Sequence, residues 1–142
     1  NLNYGNHIGE QLARLLKENE DLLKLDLVVP VPMSKKKIRQ RGYNQAEVIA
    51  RIISDKTGIP YSNKILTRKH TDIEQHSLSA EDRKMNISQY DINEVDLSDM
   101  RILLCDDVLT TGSTAKRCSD LLKARGAKTV IVLVGTTTKL KI

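Results

Sequence analysis

Three short apolar runs constrain this chain's fold most: Leu25–Pro32, Met100–Cys105 and Thr129–Gly135. They are rich in Val, Ile and Leu and do not alternate with polar residues, which is the pattern of strands buried on both faces. The stretches between them carry apolar residues at helical spacing. Ile8, Leu12, Leu15 and Leu16 mark an amphipathic helix from Asn6 to about Leu23. Gly42-Tyr-Asn-Gln-Ala-Glu47 reads as a helix start, with Asn44 as N-cap, Glu47 completing a capping box, and Ala46, Ile49, Ile52 and Ile53 forming one face. Gly58 closes that helix as a left-handed cap, and Ile59–Arg68 follows as a short strand region. A further helix over Thr111–Arg125 turns Ala115, Cys118, Leu121 and Leu122 inward and ends at Gly126. Alternating helices and fully buried strands predict an α/β fold on a parallel sheet, which binds ligands beyond the C-terminal edge of its strands.

Residues 69–99 are polar and weakly periodic, and they read as a mobile insertion with a short helix from Ser79 onward. At 142 residues the chain is expected to form one domain over 1–142. No apolar run approaches the roughly 20 residues of a membrane span, and the polar start has no signal-peptide core. A cytoplasmic protein with no membrane span is therefore expected. Cys105 and Cys118 each fall in an apolar pattern and read as small core residues. His7, His70 and His76 are scattered without ligand spacing.

The net charge of +5 has one source. Met33–Arg41 contains Lys35, Lys36, Lys37, Arg39 and Arg41 and no acid, so the other 18 Lys and Arg balance the 18 Asp and Glu. Such a stretch is either a solvated loop or a local anion site. A nucleic-acid face more often spreads its cations along the phosphates, and with four Tyr and no Trp or Phe there is little for bases to stack on.

The segment richest in chemistry is Ile102-Leu-Leu-Cys-Asp-Asp-Val-Leu-Thr-Thr-Gly-Ser-Thr114. A buried strand ends in two acids, and a hydroxyl-rich turn with one glycine leads into a helix. Backbone N–H groups at that helix start, aided by its dipole, suit a monophosphate, and Gly112 permits close approach. The adjacent carboxylates Asp106 and Asp107 repel each other unless sugar cis-hydroxyls or a hard cation such as Mg²⁺ satisfies them. The plainer alternative is a strand-ending acid pair that only caps the next helix. Neither Gly-x-x-x-x-Gly-Lys-Ser/Thr nor Gly-x-Gly-x-x-Gly occurs, which removes both common nucleotide loops. If the strands are parallel, cradle, diacid and cations share one sheet edge. They would engage a ligand with a phosphate at one end, a vicinal diol in the middle and a more anionic group at the other. 5-Phospho-α-D-ribosyl 1-pyrophosphate (PRPP) is such a molecule.

Ile102–Thr114 resembles the PRPP-binding signature of type I phosphoribosyltransferases. Val29-Pro-Val-Pro-Met-Ser-Lys-Lys-Lys-Ile-Arg-Gln-Arg-Gly-Tyr-Asn-Gln-Ala46 and Gln75…Leu78…Glu81-x-Arg83-x-x-Asn86 are similar to segments of the competence protein ComF/GntX branch, with Tyr43 where Phe is usual. The resemblance implies the parallel-sheet, Rossmann-like type I fold, with helices on both faces and a flexible lid around Gln75–Asn86. It implies that Asp106 and Asp107 act at the catalytic centre, binding the ribose hydroxyls and Mg²⁺. Thr110, Thr111, Gly112, Ser113 and Thr114 would hold the 5′-phosphate. The loop from Met33 through Ser34, Lys35 and Lys36, helped by Lys37, Arg39 and Arg41, would take the pyrophosphate. ComF relatives commonly carry an N-terminal cysteine-rich zinc ribbon. This sequence starts near the Tyr4-Gly5 segment that follows it and has no such cysteines. Purine-salvage members place an Asp three positions after the diacid; here that position is Thr110, a poor general base near neutral pH.

Three functions follow as expectations. The first is an Mg²⁺-dependent phosphoribosyltransferase that displaces pyrophosphate from PRPP with an acceptor the sequence does not specify. The second is a non-catalytic PRPP- or nucleotide-responsive module working with competence-machinery proteins in DNA uptake. The third is direct contact of Met33–Arg41 with single-stranded DNA.

Overall fold

A computed structural model describes residues 2–19, 24–69, 89–107, 112–135 and 140–141. Among these, four strands form one sheet in the order β1 (Leu27–Pro30), β4 (Arg101–Asp106), β5 (Thr129–Val134), β6 (Leu140–Lys141). β1, β4 and β5 run parallel, with Leu27 opposite Ile102 and Ile102 opposite Val130, while β6 closes the edge antiparallel. Leu103 and Cys105 of β4 face one core, and Ile102 and Leu104 face the other. Burial on both faces explains the continuous apolar sequence of this central strand.

Helices α1 (Leu2–Glu18) and α3 (Gln45–Thr57) cover the first face, where Ile8, Ile49 and Ile53 meet Val28, Leu103 and Leu133. Helix α4 (Ser113–Ala124) covers the second through Cys118 and Leu122. The expected α/β fold with helices on both faces is thus observed. Its ends differ slightly from the sequence reading: α1 starts at Leu2 and stops at Glu18, and α4 starts at Ser113. Asn44 caps α3 by accepting from Ala46 N at 3.1 Å. The Glu47 carboxylate accepts from Arg51 at 2.9 Å and Asn63 at 3.0 Å, so it braces the helix surface. Gly58 and Gly126 adopt positive φ, as their helix-ending roles require.

Three features lay beyond the sequence reading, the first being the antiparallel edge strand β6. The cationic stretch, expected as a loop, is a short helix, α2 (Lys35–Arg41). Ser34 caps it by accepting from Lys37 N, and Gly42, at φ 87°, ends it. In addition, β2 (Leu66–Arg68) and β3 (Tyr90–Ile92) pair antiparallel as a second, two-stranded sheet. Part of the segment read as an insertion over 69–99 is therefore regular structure: Tyr90 and Leu97 are buried, and Leu97 N bonds Arg125 O at 3.0 Å. Residues 70–88, which include His70, His76 and the Gln75–Asn86 motif, lie outside the described residues. Among the described residues, no helix is long and apolar enough to cross a membrane. Cys105 and Cys118 are free and buried, as expected.

Candidate functional site

The parallel register brings the C-terminal ends of β1 and β4 together, because Pro30 pairs with Cys105 and Val31 N bonds Cys105 O at 2.8 Å. Just beyond this edge lies a cavity of about 160 Å³. Val31, Pro32 and Met33 line it from the exit of β1, Lys37 and Arg41 from α2, and Asn44 and Ala46 from the start of α3. Asp106 and Asp107 line it from the end of β4, Gly112, Thr114 and Ala115 from the start of α4, and Arg68 and Tyr90 from the second sheet. Asn44 ties two of these pieces together: its side chain donates to Val31 O at 3.2 Å while capping α3.

The carboxylate pair is held under strain of charge. Burial pushes the Asp106 carboxyl up to about 6; the Asp107 N–H, donated to its Oδ1 at 2.9 Å, opposes this, and the neighbouring Asp107 charge adds to it. Burial also raises Asp107, and the Arg41 guanidinium pulls it back. Gly135 N bonds Asp106 O at 3.0 Å and fixes the turn from the β5 side. No cluster of three or more His, Cys, Asp or Glu able to cage a metal occurs among the described residues. Two adjacent carboxylates nevertheless fit Mg²⁺, which keeps several waters and commonly takes only one or two carboxylates plus ligand phosphate oxygens.

At the helix end of the cavity, Gly112 takes φ 82° as the N-cap of α4 and makes no side-chain cap bond. The helix's first N–H groups are thus presented without a side-chain acceptor at that cap. Tyr90, on the wall beside them, has its hydroxyl pushed up to about 12 by burial, eased by the Arg68 charge and by the Thr114 hydroxyl.

Of the residues expected from sequence, Asp106, Asp107, Gly112, Thr114 and Arg41 come together in this cavity, joined by Lys37. Ser34 is buried as the cap of α2 and does not line it. Lys35, Lys36 and Arg39 lie elsewhere on α2, because a seven-residue helix turns only its i and i+4 positions, here Lys37 and Arg41, toward one side. Ser113 is exposed at the first helical position and is likewise absent from the lining. Thr110 and Thr111 lie outside the described residues. Tyr43 is half-buried and off the cavity.

Arg68 and Tyr90 were missed. The signal was the two-residue strand period: Arg68 shares a face with buried Leu66, and Tyr90 with Ile92, so both point inward.

A family model described as "phosphoribosyl transferase domain" matches residues 7–136. The chain belongs to that family. Among similar curated proteins, competence protein F of Haemophilus influenzae is 35% identical over 136 residues, which is 88% of this chain and 59% of that protein. DNA utilization protein YhgH of Salmonella typhimurium is 32% identical over 132 residues, 88% of this chain and 58% of that protein. This phosphoribosyltransferase-family chain thus spans a little under three fifths of the relatives it matches. Its fold also matches the crystal structure of purine phosphoribosyltransferase from Pyrococcus horikoshii Ot3, at a TM-score of 0.57 and 20% identity over 92% of this chain and 70% of that one.

Proposed function

We propose that this chain binds PRPP in the strand-edge cavity and, with Mg²⁺ held by Asp106 and Asp107, transfers the phosphoribosyl group to an acceptor. One observation carries this reading: a single cavity contains the carboxylate pair, the α2 cations Lys37 and Arg41, and the start of α4. Anionic groups at the two ends of a ligand would meet Lys37 and Arg41 at one end and the N–H groups of α4 with Thr114 at the other. The carboxylates between would face the sugar hydroxyls. In the transfer, a bond forms between the acceptor and C1′ as the bond from C1′ to pyrophosphate breaks. The electron pair of that bond leaves with pyrophosphate, and the acceptor's proton passes to solvent. Mg²⁺ held by Asp106 and Asp107 would supply positive charge for that departure. Lys37 and Arg41 add to it, so catalysis rests on positioning and electrostatics without a protein nucleophile.

A second reading draws support from the names of the relatives, a competence protein and DNA utilization proteins. In it the same cavity binds PRPP as a signal within a DNA-uptake system, and nothing is transferred.

Thermal unfolding with PRPP, with and without Mg²⁺, tests the binding shared by both readings. Ligand at a hundred times its dissociation constant should add about 2.7 kcal/mol, several degrees at this size. No shift with PRPP under either condition would end both readings. Pyrophosphate release with a panel of bases and amines, lost in Asp107→Asn, supports transfer; binding with no release under any acceptor leaves the signalling module.

A further inference from the structure

The cavity's cations do not sit together. Lys37 and Arg41 approach from α2, and Arg41 acts on Asp107. Arg68 approaches from a different element, the two-stranded sheet, where it is the register partner of Tyr90. Its guanidinium lies over the Tyr90 ring, 4.9 Å from the centroid. That ring in turn interacts with Thr114, and the Tyr90 carbonyl accepts from Arg117 of α4 at 3.3 Å. Arg68 and Tyr90 are therefore fixed to α4, beside the helix start that carries Thr114.

A helix start offers only about half a positive charge. A phosphate monoester carries up to two negative charges, and here it would lie beside two carboxylates. A full cation at this end supplies what the N–H groups lack, and a guanidinium adds a planar fork suited to phosphate oxygens. Stacking on a buried ring holds that fork in place before the ligand arrives. The neutral Tyr90 phenol adds no competing charge.

We infer that Arg68, seated on Tyr90, is the specificity residue for the monophosphate end of the ligand, selecting phosphate esters of the sugar over the free sugar. The inference rests on the PRPP reading of the cavity and goes beyond it in giving each end of the ligand its own cation. It divides the cavity into a pyrophosphate end served by α2 and a monophosphate end served by the second sheet.

The test uses the two halves of the ligand separately, ribose 5-phosphate and inorganic pyrophosphate, titrated calorimetrically in Mg²⁺ against the wild type, Arg68→Gln, Arg68→Lys and Lys37→Gln. Arg68→Gln should weaken ribose 5-phosphate by about tenfold or more, the scale of one charge-assisted contact, and leave pyrophosphate within about twofold. Arg68→Lys should recover part of that loss, which a purely structural role would not. Lys37→Gln should show the reverse preference. Unchanged ribose 5-phosphate affinity in Arg68→Gln, or an equal or larger loss for pyrophosphate, overturns the inference and leaves the PRPP reading intact. If Arg68→Gln fails to fold, the ratio of the two affinities in Arg68→Lys decides by the same criterion. Failure of the wild type to bind PRPP or either half refutes the PRPP reading itself, and the inference with it.

Discussion

Asp106 is costly to the folded chain until something answers its charge. Unfolded, its carboxyl ionises near 3.8; folded, burial holds it at about 6. Between these values the native state binds more protons than the unfolded state, so this residue's contribution to stability falls as pH rises from about 4 to about 6 and is flat above. The loss amounts to about 2–3 kcal/mol. In the presence of a chelator at pH 7.5, Asp106→Asn is therefore expected to unfold at a higher temperature than the wild type, since the amide can still accept the Asp107 N–H. The same variant should lose the Mg²⁺-dependent shift with PRPP. A lower melting temperature for the ligand-free variant would show that Asp106 is already compensated. Asp106 and Asp107 were legible in the sequence because two adjacent carboxylates at the end of an apolar strand repel each other and so call for a cation or a diol. Arg68 and Tyr90 left only a weak trace, the strand alternation with Leu66 and Ile92, because three-residue strands are too short for that alternation to stand out from loop.

Helix α2 shows how an element sorts residues that a sequence pools. Lys35, Lys36, Lys37, Arg39 and Arg41 form a single charge run in sequence, and with Ile38 as the only apolar residue there is no periodic stripe to reveal a helix. What marked it was the spacing of a capping Ser34 and a terminating Gly42. Once coiled, only Lys37 and Arg41 reach the cavity. Lys35→Gln with Arg39→Gln is thus expected to keep the PRPP-induced shift in unfolding temperature, and Lys37→Gln with Arg41→Gln to abolish it. Equal losses would mean that the run acts as a diffuse cationic field. On the first face of the sheet, α1 approaches α3 closely at Gly9, where an added Cβ would stand 2.8 Å from Ile52 Cβ. Overpacking of this kind typically costs about 1–3 kcal/mol, so Gly9→Ala should lower stability by that amount in denaturant unfolding. Removing the opposing Cβ in Gly9→Ala/Ile52→Gly should cost less than the sum of the two single losses; strictly additive losses would refute the clash.

On the scale of the whole molecule, the three parallel strands and helices α1, α3 and α4 followed from periodicity and length, because long apolar elements leave the strongest trace in sequence, whereas the two-residue edge strand β6 did not. The placement of the second sheet against α4 did not, since it depends on contacts distant in sequence, such as Leu66 and Tyr90 packing with Cys118 and Leu122. That placement makes the cavity a junction between two sheets: the main one supplies the diacid, and the smaller one supplies Arg68 and Tyr90. A ligand held from both sides adds free energy to every opening that separates them. The amides that report such opening are Lys69, bonded to Gln89 O at 3.0 Å, and Asn93, bonded to Ile65 O at 3.0 Å, at the two ends of the β2–β3 ladder. Their hydrogen exchange should slow on addition of PRPP with Mg²⁺, whereas the α1–α3 layer, which contributes only the first turn of α3 to the cavity, should change little outside that turn. Ribose 5-phosphate alone should slow them more than pyrophosphate alone, because only the former engages the wall that carries Arg68. Exchange that slows equally across all layers would instead indicate that ligand raises only global stability, with no local tie between the two sheets.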